Sequence, residues 1–332
     1  MRLSVIILTG FLTAGLLSAS VDPGLLALVP ATTQLISGVH VDQSRVSPFG
    51  QFVISQIQTH PGDLQKLIDT TGFDPRKDVA EVLMASDGKT ANGPGGLVLA
   101  RGNFDPPRAQ AAALAKGATI QNYLGTDLIV GNNPKGSASN ESQPGTVAFL
   151  DNTLAVAGNM DAVMSVIAHR TSSITQLPQT LLAQVNSLSA SYDAWFVSLV
   201  PGSTLMPQAM GSSPNAPASS NNSSPQAAAL QAIVQSSGGV HFGDQISISF
   251  QALTRSEKDA QSLSDVVRFV SSMVQMKRQE NAEIGILATA FDGMNLTTNG
   301  NTMTLAMSIP EQSFEQLAQL SSAKKHTAIH RQ

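Results

Sequence analysis

The chain has no cysteine among its 332 residues. This absence excludes disulfide bonds, iron–sulfur clusters and zinc sites with thiolate ligands. It also excludes the lipid-modified cysteine that a bacterial lipoprotein carries at its cleavage site. Because small secreted eukaryotic modules are usually rich in disulfides, a cysteine-free exported chain favours a bacterial envelope protein.

Charged and aromatic residues are also scarce. Asp, Glu, Lys and Arg make up 13% of the chain, which is about half of the usual share. The net charge of −4 argues against nucleic-acid binding, because phosphate contacts need clustered Lys and Arg. One Trp and two Tyr are a poor supply for a sugar-binding platform. With 42% hydrophobic residues, the chain can still build folded cores.

Residues 1–20 have the order of parts that a secretory signal needs. One arginine precedes the apolar run Leu3–Leu17, and Ser18–Ser20 supplies small residues for a cut before Val21. The run is shorter than the roughly 20 residues that span a bilayer, and the helix breaker Asp22–Gly24 follows it. We expect a cleaved signal, a periplasmic or secreted protein, and no integral membrane span after cleavage. An uncleaved N-terminal anchor is the alternative.

Hydrophobic periodicity downstream predicts strands alternating with helices. Leu35–Asp42, Gly96–Gly102 and Gln245–Leu253 alternate as strands do, and Asn299-Gly300 is a strong signal for a hairpin turn. A long helix is predicted from Ser256 to about Gln279. Its apolar stripe is expected to face the core and comprises Leu263, Val266, Val267, Val270, Met273 and Val274.

The predicted fold class is α+β, with two similar lobes, each an antiparallel sheet with helices packed on one face. The N-terminal lobe is expected over residues 21–175 and the C-terminal lobe over 185–321. A Ser/Asn/Pro-rich segment at 206–225 predicts a disordered insertion, and 322–332 predicts a flexible basic tail.

The two halves repeat the same order of elements, which indicates a tandem repeat. Residues 96–115 correspond in kind to 245–263, and the hairpin at 145–167 corresponds to the one at 291–317. A second echo pairs Gly38-Val39-His40 with Gly239-Val240-His241. That echo follows a different register, so we interpret it as chance.

Several short motifs resemble a widespread group of uncharacterised exported bacterial proteins. These are Gly72–Val79, which reads GFDPRKDV, the earlier Val29–Ala31, His40–Asp42 and Ser47–Phe49, and the later Gly102–Asp105. The resemblance implies an envelope location and a repeated α+β fold, and it brings no known catalytic residue.

The turn motif also has a purely structural interpretation. Gly72 is suited to end a helix, Asp74-Pro75 favours a turn, and Asp78 can accept hydrogen bonds from backbone N–H groups.

No metal or cofactor site is predicted. The six histidines are His40, His60, His169, His241, His326 and His330, and no His-Glu-x-x-His occurs. His40 with Asp42 should share one face of a strand, which is interpreted as a solvated face, and His241 with Asp244 is the other candidate pair. His326 and His330 are four residues apart, but on the predicted flexible tail.

No catalytic residue is predicted either. Ser321–Lys324 fits Ser-x-x-Lys without the partner motifs, and Asn132–Ser137 resembles a phosphate loop but lacks the Gly-Lys-Ser/Thr order. Three methionine pairs recur at helix or strand spacing, for which core filling is favoured over an adaptable binding surface. The pairs are Met160/Met164, Met273/Met276 and Met303/Met307.

The sequence therefore predicts an exported envelope protein of binding or structural type that uses no cofactor. Whether it is an enzyme is left open, with the absence of reactive motifs leaning against one. The alternatives are a hydrolase with an Asp/Glu or Ser/His site that no motif reveals, and a carrier of an apolar ligand. The first requires a deep polar pocket, and the second requires a large cavity lined by Met, Leu and Val. Another envelope protein or an apolar ligand is the expected partner, and the oligomeric state is not predicted.

Overall fold

The computed structural model describes residues 20–58, 61–88, 96–131, 145–170, 175–202, 225–280, 282–313 and 315–316. Over these ranges the chain folds as helices around a large antiparallel sheet, which confirms the α+β class. None of the helices in these ranges is both long and apolar enough to cross a membrane.

The described ranges contain twelve strands interspersed with helices. They are β1 Leu35–His40, β2 Val79–Ser86, β3 Gly96–Gly102, β4 Thr119–Tyr123, β5 Thr126–Val130, β6 Thr146–Phe149, β7 Leu154–Gly158, β8 Ala194–Ser198, β9 Ile233–Phe242, β10 Gln245–Thr254, β11 Asn295–Asn299 and β12 Thr302–Pro310. The helices are α1 Pro23–Ala27, α2 Val41–Val46, α3 Pro48–Gln58, α4 Pro61–Thr71, α5 Pro75–Asp78, α6 Pro106–Ala115, α7 Met160–His169, α8 Gln179–Ser189, α9 Pro225–Gln231, α10 Glu257–Met276 and α11 Ala282–Asp292.

All twelve strands belong to one continuous sheet, in the order β11-β12-β10-β9-β8-β1-β2-β3-β7-β6-β5-β4. Strand β1 pairs antiparallel with β2 on one side and with β8 on the other. Strands from the two halves of the chain are therefore hydrogen-bonded to each other at the centre of the sheet, and the predicted division into two lobes is not confirmed.

The strand order is nevertheless similar in the two halves. From the centre outwards, the first half runs β1-β2-β3-β7-β6 and the second runs β8-β9-β10-β12-β11, with the β4–β5 hairpin added at one edge. The segments that the sequence matched, β3 with α6 against β10 with α10, occupy corresponding positions. The hairpins β6–β7 and β11–β12 also correspond.

The sheet carries apolar cores on opposite faces. Val197 on β8 pairs with Ser237, which pairs with Gln251 on β10, so Ala252 points to the other face of the sheet. Val197 belongs to the larger core and Ala252 to the smaller one. Helices therefore lie against both faces of this sheet, with the larger core on one face and the smaller core on the other.

The larger core lies between the sheet and the helices α1, α7 and α8, and its most completely buried side chains include Leu25, Leu83, Leu99, Ile167 and Leu181. The smaller core joins α9 and α10 to β9, β10 and β12, and consists of Ala229, Ile233, Ala252, Leu263 and Met303.

Two elements differ from what hydrophobic periodicity predicts. The pattern predicts a helix over 226–235, but the chain from Ile233 onwards forms β9. It also predicts a strand over 288–298, but Ala288 lies in α11. In β9 the run Ser236–Gly239 breaks the apolar alternation that usually signals a strand. Strand β1 also ends two residues early, because Val41 begins α2.

Candidate functional site

The second half of α10 leaves an apolar stripe exposed to solvent. Leu263 is buried in the smaller core and Val266 and Val267 pack against it, as predicted, but Val270 and Met273 further along the helix are exposed. Phe269 is 54% exposed, Met273 40% and Met276 80%. With Val270, they occupy spacings i, i+1, i+4 and i+7 and therefore lie along one side of the helix. We call Phe269, Val270, Met273 and Met276 the α10 stripe.

A groove of about 480 Å³ lies beside the stripe, between α9 and α10. The groove shares Phe269 with the stripe, so the two features form one continuous surface. Its walls mix apolar and polar groups, and the lining residues are Gln226, Ala228, Ala229, Arg255, Asp259, Ser262, Asp265, Val266 and Phe269.

Side-chain contacts hold α10 against α11. The Nε2 group of Gln275 donates to the carbonyl oxygen of Ala288 at 2.8 Å and to Asp292 Oδ1 at 2.9 Å. Arg278 forms an ion pair with Asp292 at 3.0 Å. Leu287 on α11 is 41% exposed and adds a further apolar side chain to this region. The stripe thus lies on a helix fastened at both ends, by its core contacts and by α11.

Acids lie beside several cations near the stripe, whereas Arg268, next to Phe269, has no ion pair within the described residues. Lys277 pairs with Glu280 at 3.0 Å, and Arg255 lies 3.8 Å from Asp259 in the groove. Among the residues that the structure describes, Asp265 contacts only the amide of Gln261, at 3.4 Å, and no cation. The groove therefore offers one unpaired carboxylate to a ligand.

A second notable cluster is buried where the described chain begins and centres on His40 and Glu81. His40 is 5% exposed and Glu81 8%. His40 Nδ1 lies 3.7 Å from Glu81 Oε1, and its Nε2 lies 3.1 Å from the carbonyl oxygen of Ser189. Burial raises the pKa of Glu81 to about 7, because it disfavours the ionised carboxylate. The amide of Asp22 donates to Oε2 at 3.1 Å, but Oε1 accepts no hydrogen bond.

Asp22 connects this cluster to the first helix. Its carboxylate accepts from the amides of Gly24 and Leu25 at the start of α1, at 2.6 and 3.2 Å. Arg101 binds it from β3 with two hydrogen bonds, of 2.8 and 3.1 Å. Burial opposes ionisation, but Arg101 and these amides together hold the pKa of Asp22 below its usual value.

The predicted pair of His40 with Asp42 does not form. Asp42 lies in α2 and pairs with Arg45 at 3.1 Å, so His40 and Asp42 do not share a solvated strand face. The predicted alternation stops short because β1 ends at His40, which is buried.

His241 pairs with Asp193 instead of with Asp244. Its Nδ1 lies 2.8 Å from Asp193 Oδ2. Asp193 precedes β8 and also accepts from the amide of Phe242 at 2.7 Å. The sequence could not predict this pair, because His241 and Asp193 are 48 residues apart and no local motif connects them.

The GFDPRKDV turn has the structural role that its residues predict. Gly72 has a positive φ of 73°, and Asp74 caps α5 by accepting from the amide of Arg76 at 3.1 Å. The amide of Asp74 donates to Asp78 Oδ2 at 2.6 Å. Phe73 contacts Phe104 with ring centroids 5.8 Å apart, which ties this turn to the later GNFD motif.

The remaining candidates from the sequence are the metal ligands, the short motifs and the methionine pairs. Within the described ranges, no group of three or more His, Asp or Glu residues could hold a metal ion. Asn132–Ser137, Ser321–Lys324, His326 and His330 lie outside those ranges, as does most of the predicted insertion. Met303 fills the smaller core and Met160 packs against the larger one, whereas Met273 and Met276 are exposed. Only this last pair fits the binding-surface interpretation.

Comparison with known proteins identifies likeness of fold alone. No protein-family model and no curated protein matches the chain. Two crystal forms of the Treponema protein TP0453 are similar in structure, each with 10% sequence identity. Form I covers 91% of this chain and 98% of its own, with a TM-score of 0.46. Form IV covers 90% and 97%, with a TM-score of 0.48.

Proposed function

We propose that the chain is an exported, non-enzymatic envelope protein that binds an amphipathic helix of a partner protein. The α10 stripe and the adjoining groove would form its binding surface. The observation that carries this proposal is that an aromatic residue and two methionines stay exposed in register on a helix fixed at both ends. Helix-in-groove recognition uses such a row of apolar anchors, and methionine adapts well to a partner's surface.

The charges around the stripe favour a protein over a membrane. Helices that lie on membranes carry unpaired Lys and Arg on their polar side. Here Lys277 and Arg278 are paired with Glu280 and Asp292, which leaves Arg268 as the cation beside Phe269 that has no ion pair within the described residues. The carboxylate of Asp265 would repel anionic lipid, but it suits a Lys or Arg on a partner helix.

The alternative functions have less support. A hydrolase needs its reactive groups accessible to substrate, and the His40–Glu81 pair is buried. A carrier of an apolar ligand needs an apolar lining, whereas Gln226, Arg255 and Asp259 contribute polar groups to the groove. Export rests on the secretory pattern of residues 1–20 and on the low charge and absence of cysteine.

We also propose that the two halves arose by duplication. The corresponding strand orders around the β1–β8 pair support this, as does the correspondence of the segments that the sequence matched.

A photo-crosslinking experiment tests the binding function. A photoreactive phenylalanine analogue is placed at Met273, and at Leu114 as a control, because Leu114 is a 52% exposed apolar residue on the distant helix α6. We expect a specific envelope protein to crosslink through a helix from position 273 only. Binding of the purified partner should fall at least tenfold in Met273→Asp and remain unchanged in Leu114→Asp.

Other outcomes contradict the proposal. Crosslinking of the chain to itself would make the stripe a dimer contact. Binding to anionic vesicles that Met273→Asp abolishes would make it a membrane surface. If the chain stays in the cytoplasm of its bacterial host, the export part is wrong.

A further inference from the structure

The chain enters the core at the predicted cleavage point. Ser20 is exposed, whereas Val21 is 1% exposed and packs in the larger core with Leu25. The backbone nitrogen of Val21 lies 3.4 Å from Ser189 Oγ. A cut between Ser20 and Val21 would therefore leave the new α-amino group in a buried position.

A carboxylate with an unused oxygen lies beside that position. The next amide along the chain, that of Asp22, donates to Glu81 Oε2 at 3.1 Å. Successive backbone nitrogens are roughly 3 Å apart, so Val21 N lies within about 7 Å of Glu81. Glu81 Oε1 has no hydrogen-bond donor in the intact chain.

The neighbouring charges do not already satisfy Glu81. Arg101 is occupied by Asp22 through two hydrogen bonds. His40 Nδ1 is 3.7 Å from Oε1, which is beyond a good hydrogen bond. A buried carboxylate without a paired cation is costly. Neither Arg101 nor His40 forms a hydrogen-bonded pair with Glu81.

We propose that removal of the signal creates an α-ammonium group at Val21 that pairs with Glu81 inside the fold. This inference rests on the proposed export. Signal peptidase would add water across the Ser20–Val21 peptide bond, so that Ser20 leaves with a carboxylate and the Val21 nitrogen becomes an ammonium. One neutral donor is thereby exchanged for a cation with three donors. Cleavage would then stabilise the mature fold in addition to releasing it from the signal.

The pairing can be tested by a double-mutant cycle on the mature protein. One chain begins at Val21, and the second retains Ser18–Ser20, which moves the terminal charge away. Each is made with Glu81 and with Glu81→Gln, and unfolding is followed in urea. In the chain with Glu81, retaining Ser18–Ser20 should raise the equilibrium constant for unfolding at least tenfold. In the chain with Glu81→Gln, the same extension should raise it less than threefold. Glu257→Gln, at an exposed acid, is the matched control and should behave like the unsubstituted chain.

Chemical labelling gives an independent measurement if Glu81→Gln fails to fold. The α-amino group of the chain beginning at Val21 should react with an amine-acylating reagent at least tenfold more slowly in the native state than in urea. Equal acylation rates in the native state and in urea would overturn the pairing. So would an extension that changes the unfolding constant equally in the chains with Glu81 and with Glu81→Gln. An exported protein that begins at a residue other than Val21 would also overturn it, while leaving the proposed export intact.

Discussion

Gly38 and Gly239 pair with the same residue, Trp195, from opposite sides of β8. The two Gly-Val-His segments, whose similarity we interpreted as chance, therefore flank one strand in the same register. Both glycines leave space for a ring. A Cβ at Gly38 would lie 2.5 Å from Trp195 Cζ2, and one at Gly239 would collide with Tyr192. The space that these rings need explains why a glycine occupies the same position in both Gly-Val-His segments.

We expect Gly38→Ala to destabilise the protein by about 2–3 kcal/mol, because the buried Trp195 has little room to move. Gly293→Ala is the control, since a Cβ there meets no atom within 4 Å. Its free energy of unfolding should change by less than about 0.5 kcal/mol. Urea denaturation measures both, and equal effects would show that the ring contact is not limiting.

Local signals predicted part of this fold. Ser256, the predicted start of a helix, caps α10 through its side chain, and Gly300 has a φ of 55° in the predicted hairpin turn. Such features depend on a few neighbouring residues, so a sequence displays them directly. Strand β9 was missed because its glycines make room for rings from another part of the chain, which only the tertiary structure shows.

The candidate site was less predictable for the same reason. The apolar stripe runs along most of α10. Hydrophobic periodicity does not predict which turns of a helix pack against a sheet. The packing of α10 against the smaller core extends to Val267, and Phe269 and Met273 beyond it stay exposed. The His40–Glu81 pair joins residues on β1 and β2 that no local motif connects.

Substitution of an exposed and of a buried methionine should differ in cost. Met276 is 80% exposed and Met303 is 1% exposed. Met276→Ala should change the free energy of unfolding by less than about 0.5 kcal/mol, whereas Met303→Ala should cost about 2–4 kcal/mol through the cavity that it leaves. Thermal or urea unfolding checks the difference. A large loss from Met276→Ala would show that the stripe is covered in solution.

The Arg101–Asp22 pair should contribute measurably to stability. Arg101 donates twice to a carboxylate that also caps α1, and both side chains are mostly buried, at 27% and 30% exposure. We expect Arg101→Met to cost about 1–2 kcal/mol, after allowance for partial solvent screening. Arg255→Met is the control, because its 3.8 Å contact with Asp259 is largely exposed, and should cost less than about 0.5 kcal/mol. Equal losses in urea would contradict a special role for the buried pair.

Glu81 should make stability depend on pH in the chain that retains Ser18–Ser20. Burial raises its folded-state pKa from 4.5 to about 7. Between these values the folded state binds the proton more tightly than the unfolded state does, so the free energy of unfolding falls as pH rises. The full loss is on the order of 3 kcal/mol between about pH 4.5 and 7.5. Glu81→Gln should remove this slope, and urea unfolding at several pH values across that window measures it. The quantity compared is the difference in slope between the chain with Glu81 and the chain with Glu81→Gln. If Glu81→Gln leaves the slope unchanged, Glu81 is not the group responsible.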